Sequence, residues 1–258
     1  MVKLASSIAA MREPEAASAA SLRAQLVEML ARDLDLSDQD ISVICDAALL
    51  AELGRVSFPD TLMGKAYSEY NKAELQIFSH NPLHAEAALM GIPGLANTAA
   101  IVRSQYERYD GSGFPDKLVG ESIPIGARIL AIVRDYVDLI RGRMNGEQLP
   151  PAVARADILS FAGTRYDQLL AQRFVQLSAD LVGSEFALNE QRLTAAELQI
   201  GMTLSRNLYG EKGMILLTEG HELTADLIEK IVKLQDMSDE TLEIWVAENM
   251  PTDQLGGL

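Results

Sequence analysis

QYERYDGSGFPDKLVGESIPIGAR, residues 105–128, is the stretch that decides how this chain folds. Its segment DGSG, residues 110–113, ends the preceding helix, because glycine loses most freedom in a helix and aspartate and serine bond to turn backbone. Phe114 comes before Pro115, and a residue before proline is steered toward extended backbone. The pattern predicts a helix, then a stiff loop, then a second helix that begins at Pro124.

Composition sets the class of protein. The chain has 258 residues, which is enough for one or two domains, and it is 48% hydrophobic with only 5% aromatic residues. Many of the hydrophobic residues are alanine and leucine, so we expect a mainly α protein. The net charge of −15 argues against binding to nucleic acid or to an anionic membrane, since both need a basic surface.

Other global features indicate a location in the cell. The single cysteine, Cys45, excludes an intramolecular disulfide framework and fits a reducing compartment. No apolar run approaches the roughly 20 residues that span a bilayer, and the N-terminus has no signal-peptide pattern. We therefore expect a cytoplasmic protein without a membrane partner.

Apolar periodicity and capping residues divide the chain into three parts. We predict a flexible arm or linker over 1–16, an all-helical bundle over 17–181, and a small α+β C-terminal subdomain over 182–258. The bundle's helices are expected at 17–33, 37–53, 71–80, 95–108, 124–140, 152–161 and up to 181. The subdomain's elements are expected as strands at 197–204, 214–217 and 243–246, with a helix from Thr224 to Leu234.

The helix predicted over 37–53 carries one conspicuous charge. Glu52 continues the stripe of Ile41, Cys45 and Ala48, so we expect its side chain to point inward. A buried carboxylate needs a metal ion, a cationic side chain or a proton.

The loop and the helix after it resemble the HD-GYP family signature. Its matching residues are Glu107, Asp110, Gly111, Gly113 and Pro115, with Phe114 in the tyrosine position, followed by Ile123, Pro124, Ala127, Arg128 and Ile129. The resemblance implies the helical fold of HD phosphohydrolases, a bridged metal cluster and cyclic di-GMP as the ancestral substrate.

The same resemblance indicates that the metal site is degenerate. The family's ligand positions hold Ala51, Glu52, Asn81, Gln105, Tyr106 and Arg134. Alanine, tyrosine and arginine are not ordinary ligands for such metals. Asp135 is adjacent to a ligand position but is rotated away by about a quarter of a helical turn, and we interpret His80 and His84 as surface residues. We therefore predict no catalytic residue, no metal and no cofactor.

Arg134 has two interpretations. In the first, its guanidinium enters the former metal volume and pairs with Glu52, as a fixed cation in place of the metals. In the second, it reaches solvent and bonds Asp138 one turn further along the helix.

These observations favour a non-catalytic signalling module, the output domain of a response regulator in a bacterial two-component or cyclic di-GMP pathway. The signature loop would then bind a signalling protein, and a homodimer is left open. Two alternatives remain. One is a metal-dependent cyclic di-GMP phosphodiesterase with unusual ligands. The other is a cyclic dinucleotide sensor without turnover, in which Arg55, Arg103 and Arg108 would contact phosphates.

Overall fold

The computed structural model describes residues 16–180, 190–205, 208–210, 215–217, 221–237, 242 and 244–247. The chain divides into two compact units, Met1–Asp180 and Leu181–Leu258. The arm predicted over 1–16 lies outside the described residues except for Ala16, which begins the first helix. The protein is mainly α, as predicted. Among the described residues, no helix has the length and apolar character needed to cross a bilayer.

Eight α-helices form the described part of the first unit. They are α1 Ala16–Asp33, α2 Asp38–Leu50, α3 Lys72–Ser79, α4 Asn81–Met90, α5 Ala96–Ser104, α6 Ile125–Ile140, α7 Pro151–Ser160 and α8 Gln168–Asp180. Short 3-10 turns lie between them at Leu53–Ser57, Asp60–Leu62, Tyr67–Glu69 and Gly120–Ser122.

The helix starts follow the capping residues in the sequence. Ser37 Oγ accepts a hydrogen bond from the backbone N–H of Asp40 at 3.1 Å and so begins α2. Asn71 and Glu74 form a reciprocal capping box at the start of α3. Ser37 and Asn71 are the predicted first positions of these helices, and the structure confirms them as caps.

Two helices end earlier than predicted, and the first of them, α2, ends at Leu50, before Gly54. This glycine is inside a 3-10 turn, where an added Cβ would lie 2.2 Å from the carbonyl oxygen of Asn81. It therefore allows the chain after α2 to approach α4 closely, instead of ending the helix. Similarly, α5 stops at Ser104 and not at 108, because the chain turns there and Glu107 N–H bonds to the Ser104 carbonyl.

Helix α6 is the centre of the first unit. Thirteen of its sixteen residues are buried, because it contacts α1, α2, α5, α7 and α8. The structure buries nearly all of its faces. Gly126 allows part of this packing, since a Cβ there would lie 2.6 Å from Ile101 Cδ1.

The second unit is a small α+β structure. Its elements are β1 Glu190–Leu193, β2 Thr203–Leu204, β3 Leu208–Tyr209, β4 Ile215–Leu217, α9 Ala225–Met237 and β5 Ile244–Ala247. Strand β5 lies between β1 and β2 in an antiparallel sheet, and β3 pairs with β4. An apolar core that includes Leu204, Leu223, Ile231 and Ile244 holds the unit together.

Three details of this unit differ from the sequence prediction. The strand predicted over 197–204 is limited to β2, because Ala195–Glu197 forms a 3-10 turn. Strand β4 pairs with β3, for which no strand was predicted. Strand β1 was missed. Short strands of two to four residues carry too little alternation to fix their pairing from sequence.

Candidate functional site

The six positions at which the sequence predicts lost metal ligands lie on four helices or directly after them. Ala51 and Glu52 follow α2, Asn81 begins α4, Gln105 and Tyr106 follow α5, and Arg134 lies in α6. All six residues are buried.

Direct contacts join five of these positions. The amide of Gln105 donates to the Ala51 carbonyl at 3.1 Å, and the amide of Asn81 donates to the Tyr106 hydroxyl at 3.2 Å. The Arg134 guanidinium donates to the backbone carbonyl of Gln105 and lies 3.9 Å from the centroid of the Tyr106 ring. The substituted side chains therefore form one bonded centre.

Arg134 lies inside this centre, but its ionic partner is Asp135. Nε and Nη2 of Arg134 approach Oδ1 of Asp135 at 3.0 and 2.6 Å. Across the described part of the chain, no direct ion pair joins Arg134 to Glu52, so the predicted pair is wrong. The solvent-exposed alternative is wrong as well, because Arg134 is only 2% exposed. The long side chain turns back toward its neighbour because the buried Asp135 needs a cation.

Asp135 is the anchor of one charge cluster. Besides Arg134, it contacts Arg165 Nη2 at 2.6 Å and accepts a hydrogen bond from the Tyr166 hydroxyl at 2.9 Å. Burial alone would raise the pKa of Asp135, but the two guanidinium groups outweigh burial and hold this pKa below its usual value. The carboxylate is therefore ionised and already has three partners.

Glu52 is the anchor of a second cluster. Its Oε1 lies 3.5 Å from Arg23 Nη1, and its Oε2 lies 3.1 Å from Arg55 Nε and 3.5 Å from Arg143 Nη2. Burial would raise the pKa of Glu52, but these guanidinium groups, with a smaller contribution from Arg134, lower it to about 2. The side chain points inward as predicted, and three arginines surround its charge.

Asp138 belongs to the same cluster. Tyr67 donates its hydroxyl hydrogen to Asp138 Oδ2 at 3.2 Å, and Arg23 Nη1 lies 4.0 Å from Oδ1. Burial raises the pKa of Asp138, and the negative charge of Glu52 adds to the rise. Two buried carboxylates thus share the guanidinium of Arg23.

The signature loop is held in place by Glu107, which is itself buried. Its two carboxylate oxygens accept hydrogen bonds from the backbone N–H groups of Asp116 and Leu118, at 2.7 and 3.0 Å. Gly113 is packed against the same segment, since a Cβ there would lie 2.3 Å from the backbone nitrogen of Arg108. The carboxylate of Glu107 therefore organises the loop.

The other residues of the signature loop are of two kinds, those that pack against the interior and those that are exposed. Phe114, whose bond to Pro115 is cis, stacks on the Tyr106 ring with centroids 5.1 Å apart. Asp110 is exposed and its Oδ1 accepts from the Ser112 N–H, and Gly111 adopts a positive φ of 80°. Outward-facing positions include Lys117 and Val119.

The residues present do not fit the bridged metal cluster that the family resemblance implies. Glu52 faces three cations, Glu107 binds loop backbone, and the ligand position in α6 holds Arg134. In the ranges that the structure describes, no three histidine, cysteine, aspartate or glutamate side chains converge to hold an ion. His80 and His84 are exposed and bond to Gln76 O and Ser57 Oγ, which agrees with their interpretation as surface residues.

Two of the arginines proposed to contact phosphates already have partners. Arg55 is buried beside Glu52, and Arg103 pairs with both Glu86 and Asp116. Arg108 is exposed on the loop.

Sequence reasoning missed Arg23, which is fully buried in α1. A signal was present, because Arg23 lies on the buried stripe formed by Ala19, Leu26, Val27 and Leu30. A charged residue inside an apolar stripe indicates a buried partner. The residues Leu22 and Met29, which also lie beside this stripe, are only half-buried.

Comparisons with known proteins agree with this fold. The chain is 31% identical over 141 residues to the cyclic di-GMP phosphodiesterase response regulator RpfG of Xanthomonas campestris, covering 54% of this chain and 37% of that protein. It is 26% identical over 215 residues to a probable cyclic di-GMP phosphodiesterase of Vibrio cholerae, covering 77% and 48%. The chain thus spans less than half the length of either relative.

A solved structure shows the same fold. Bd1817, an HDG"Y"P protein from Bdellovibrio bacteriovorus, superposes with a TM-score of 0.54 at 15% identity, covering 65% of this chain and 53% of that one. The HD domain family profile matches residues 3–170, which are most of the chain. This protein therefore belongs to the HD domain family, and its relatives are of the HD-GYP kind.

Proposed function

We propose that this chain is a non-catalytic signal-transduction module, an HD-GYP domain that works by binding a protein. The observation that carries the proposal is the bonded centre at the ligand positions. Arg134 there contacts both Gln105 and Tyr106, and tyrosine and arginine are not ordinary ligands for the metals of this family.

Reshaping this centre to hold metals would be costly. The Arg134–Asp135 pair is almost fully buried, and removing one partner of such a pair leaves an uncompensated charge. A metal would also have to compete with the three guanidinium groups at Glu52. Both energetic costs favour a module without hydrolysis over a phosphodiesterase with unusual ligands.

The signature loop is the proposed docking surface for a signalling protein. Its backbone is fixed by Glu107, and it is also tied to the turn before α8, where the N–H groups of Tyr109 and Asp110 bond to the carbonyls of Arg165 and Thr164. A surface that is ordered before binding loses little conformational entropy on association. The response-regulator relative supports a two-component or cyclic di-GMP pathway as the context.

A hydrolysis assay tests the absence of catalysis. Purified chain is incubated with cyclic di-GMP or 3′3′-cGAMP and Mn²⁺ or Fe²⁺, and the nucleotides are separated by chromatography. An active HD-GYP phosphodiesterase is the positive control. We expect the cyclic dinucleotides to remain intact, whereas turnover that EDTA abolishes would establish the phosphodiesterase alternative.

Calorimetry with the same nucleotides tests the sensor alternative. We expect no heat of binding, since Arg55 and Arg103 are already paired with carboxylates. Saturable binding without turnover would establish a cyclic dinucleotide sensor.

A loop variant tests the docking surface. The double change Lys117→Glu and Val119→Ser alters two exposed loop residues, and Leu169→Ser on α8 is the control because Leu169 is 75% exposed. We expect a specific protein captured by the wild-type chain to be lost only with the loop variant. Equal capture by all three chains would place the docking surface elsewhere.

A further inference from the structure

Arg23 occupies an unusual position between two acidic side chains. Its Nη1 atom lies 3.5 Å from Glu52 Oε1 and 4.0 Å from Asp138 Oδ1. The side chain is 0% exposed. Within the described residues its Nε, Nη1 and Nη2 atoms make no hydrogen bond, so its contact with the carboxylates is Coulombic.

The two carboxylates come from separate parts of the fold and both need a positive charge. Glu52 follows α2 and Asp138 lies in α6, one turn beyond Arg134. Two buried anions repel each other, and a single cation that bridges them removes much of that cost. A divalent metal does this in a metallohydrolase, where carboxylates from different helices bind one ion.

We propose that Arg23 is a built-in cation that takes the place of a divalent metal between Glu52 and Asp138. The helical unit then reaches its folded state without any metal ion. This inference concerns folding and ion content, so it holds or fails separately from the proposed signalling role.

Arg23 differs from the other arginines near Glu52 in the helix that carries it. Arg55 lies three residues from Glu52, and Arg143 lies on the chain just after α6 and contacts Glu52 from there. Arg23 instead comes from α1, which is distant in sequence from both carboxylates and packs against α2 and α6. Its charge therefore links three helices, as a bridging metal would.

The test begins with the wild-type protein. Elemental analysis is expected to find far less than one Mn, Fe or Mg per chain, and EDTA is expected to leave the thermal unfolding midpoint unchanged. Stoichiometric metal, or a midpoint that falls in EDTA, would overturn the proposal. Both measurements use the full chain and need no variant.

The second part compares two arginines of the same helix by far-UV circular dichroism. Arg23→Met is expected to lower the unfolding midpoint by about 10 °C, because it leaves buried carboxylates without that cation. Arg32→Met removes an exposed arginine that pairs with Glu28, and is expected to change the midpoint by about 2 °C or less. Equal midpoints of the two variants would contradict the inference.

A double-mutant cycle separates charge from packing. If Arg23 acts through its charge, Arg23→Met combined with Glu52→Gln lowers the midpoint by less than the sum of the two single changes. Strict additivity would show that Arg23 acts by packing alone and would overturn the proposal. If Arg23→Met does not fold, Arg23→Lys is compared with it: because lysine keeps the positive charge, Arg23→Lys should fold, and a failure of both variants to fold would be the contradicting result.

Discussion

The guanidinium of Arg134 lies 3.9 Å from the centroid of the Tyr106 ring, so two positions where the family resemblance implies metal ligands stack on each other in this protein. The same guanidinium holds the buried Asp135. Burial raises the pKa of Tyr106 above its usual value, although the charge of Arg134 opposes the rise. The phenol is therefore neutral at physiological pH and offers its ring face to the cation.

Replacing Arg134 should be strongly destabilising. Arg134→Met leaves the buried Asp135 with one cation fewer, and we expect a loss of about 3 kcal/mol in the free energy of unfolding by urea. Arg108→Met, at an exposed arginine of the signature loop, is the control and should change it by about 0.5 kcal/mol or less. A loss at position 134 no larger than this control would contradict the described pairing.

The carboxylate of Glu107 should control the order of the signature loop. In Glu107→Gln, one of the two acceptors for the N–H groups of Asp116 and Leu118 becomes a donor, which costs about 1–3 kcal/mol locally. Amide hydrogen exchange at these two positions should accelerate by about tenfold or more. Exchange should remain unchanged in Glu121→Gln, which alters an exposed glutamate of the same loop.

Gly54 should tolerate no side chain. An alanine Cβ there would lie 2.1 Å from Asn81 Oδ1 and 2.2 Å from its carbonyl oxygen, so Gly54→Ala should cost about 2–3 kcal/mol in unfolding free energy. Gly91→Ala is the matched control. Its Cβ meets no atom within 4 Å and its φ is −79°, so it should be neutral or should stabilise by about 0.5 kcal/mol.

Glu52 should make stability depend on pH in the acidic range. Its folded pKa of about 2 is below the ordinary 4.5, so its stabilising contribution is present above pH 4.5 and is lost as the pH falls toward 2. Between pH 5 and pH 3 the free energy of unfolding should fall by about 2 kcal/mol, and this loss should be absent from the Glu52→Gln variant.

The neighbouring Asp138 complicates this measurement in a predictable way. Its pKa is raised, chiefly by burial, so its protonation on acidification works against the loss from Glu52. We therefore make the comparison in an Asp138→Asn background, by urea unfolding at each pH. If the free energy of unfolding changed with pH in the same way with and without Glu52→Gln, the idea that arginine side chains stabilise the Glu52 carboxylate would be ruled out.

Cys45 should react slowly with thiol reagents. Burial raises the pKa of its thiol to about 11, and the charge of Glu28 adds to this. Very little thiolate is then present at pH 8, and alkylation should be at least about tenfold slower than for the urea-unfolded chain. Equal rates in the folded and unfolded states would show that the thiol is not shielded.

The sequence by itself determined the helical class, the caps at Ser37 and Asn71, and the family signature. These features are local, because capping, turn chemistry and motif spacing involve residues within a few positions of one another. It also showed substitutions at six positions where the family resemblance implies ligands, and it predicted correctly that Glu52 points inward.

Only the tertiary structure decided which charges meet. Arg23 reaches Glu52 and Asp138 because α1 packs against α2 and α6, and Arg134 selects Asp135 over Glu52 through the direction of its side chain. The spacing of residues on one helix shows which face is buried, but it does not show which residue of another helix lies opposite. Buried ion pairs depend on that distance between helices, because the Coulomb energy and the cost of desolvation both change steeply over a few ångströms.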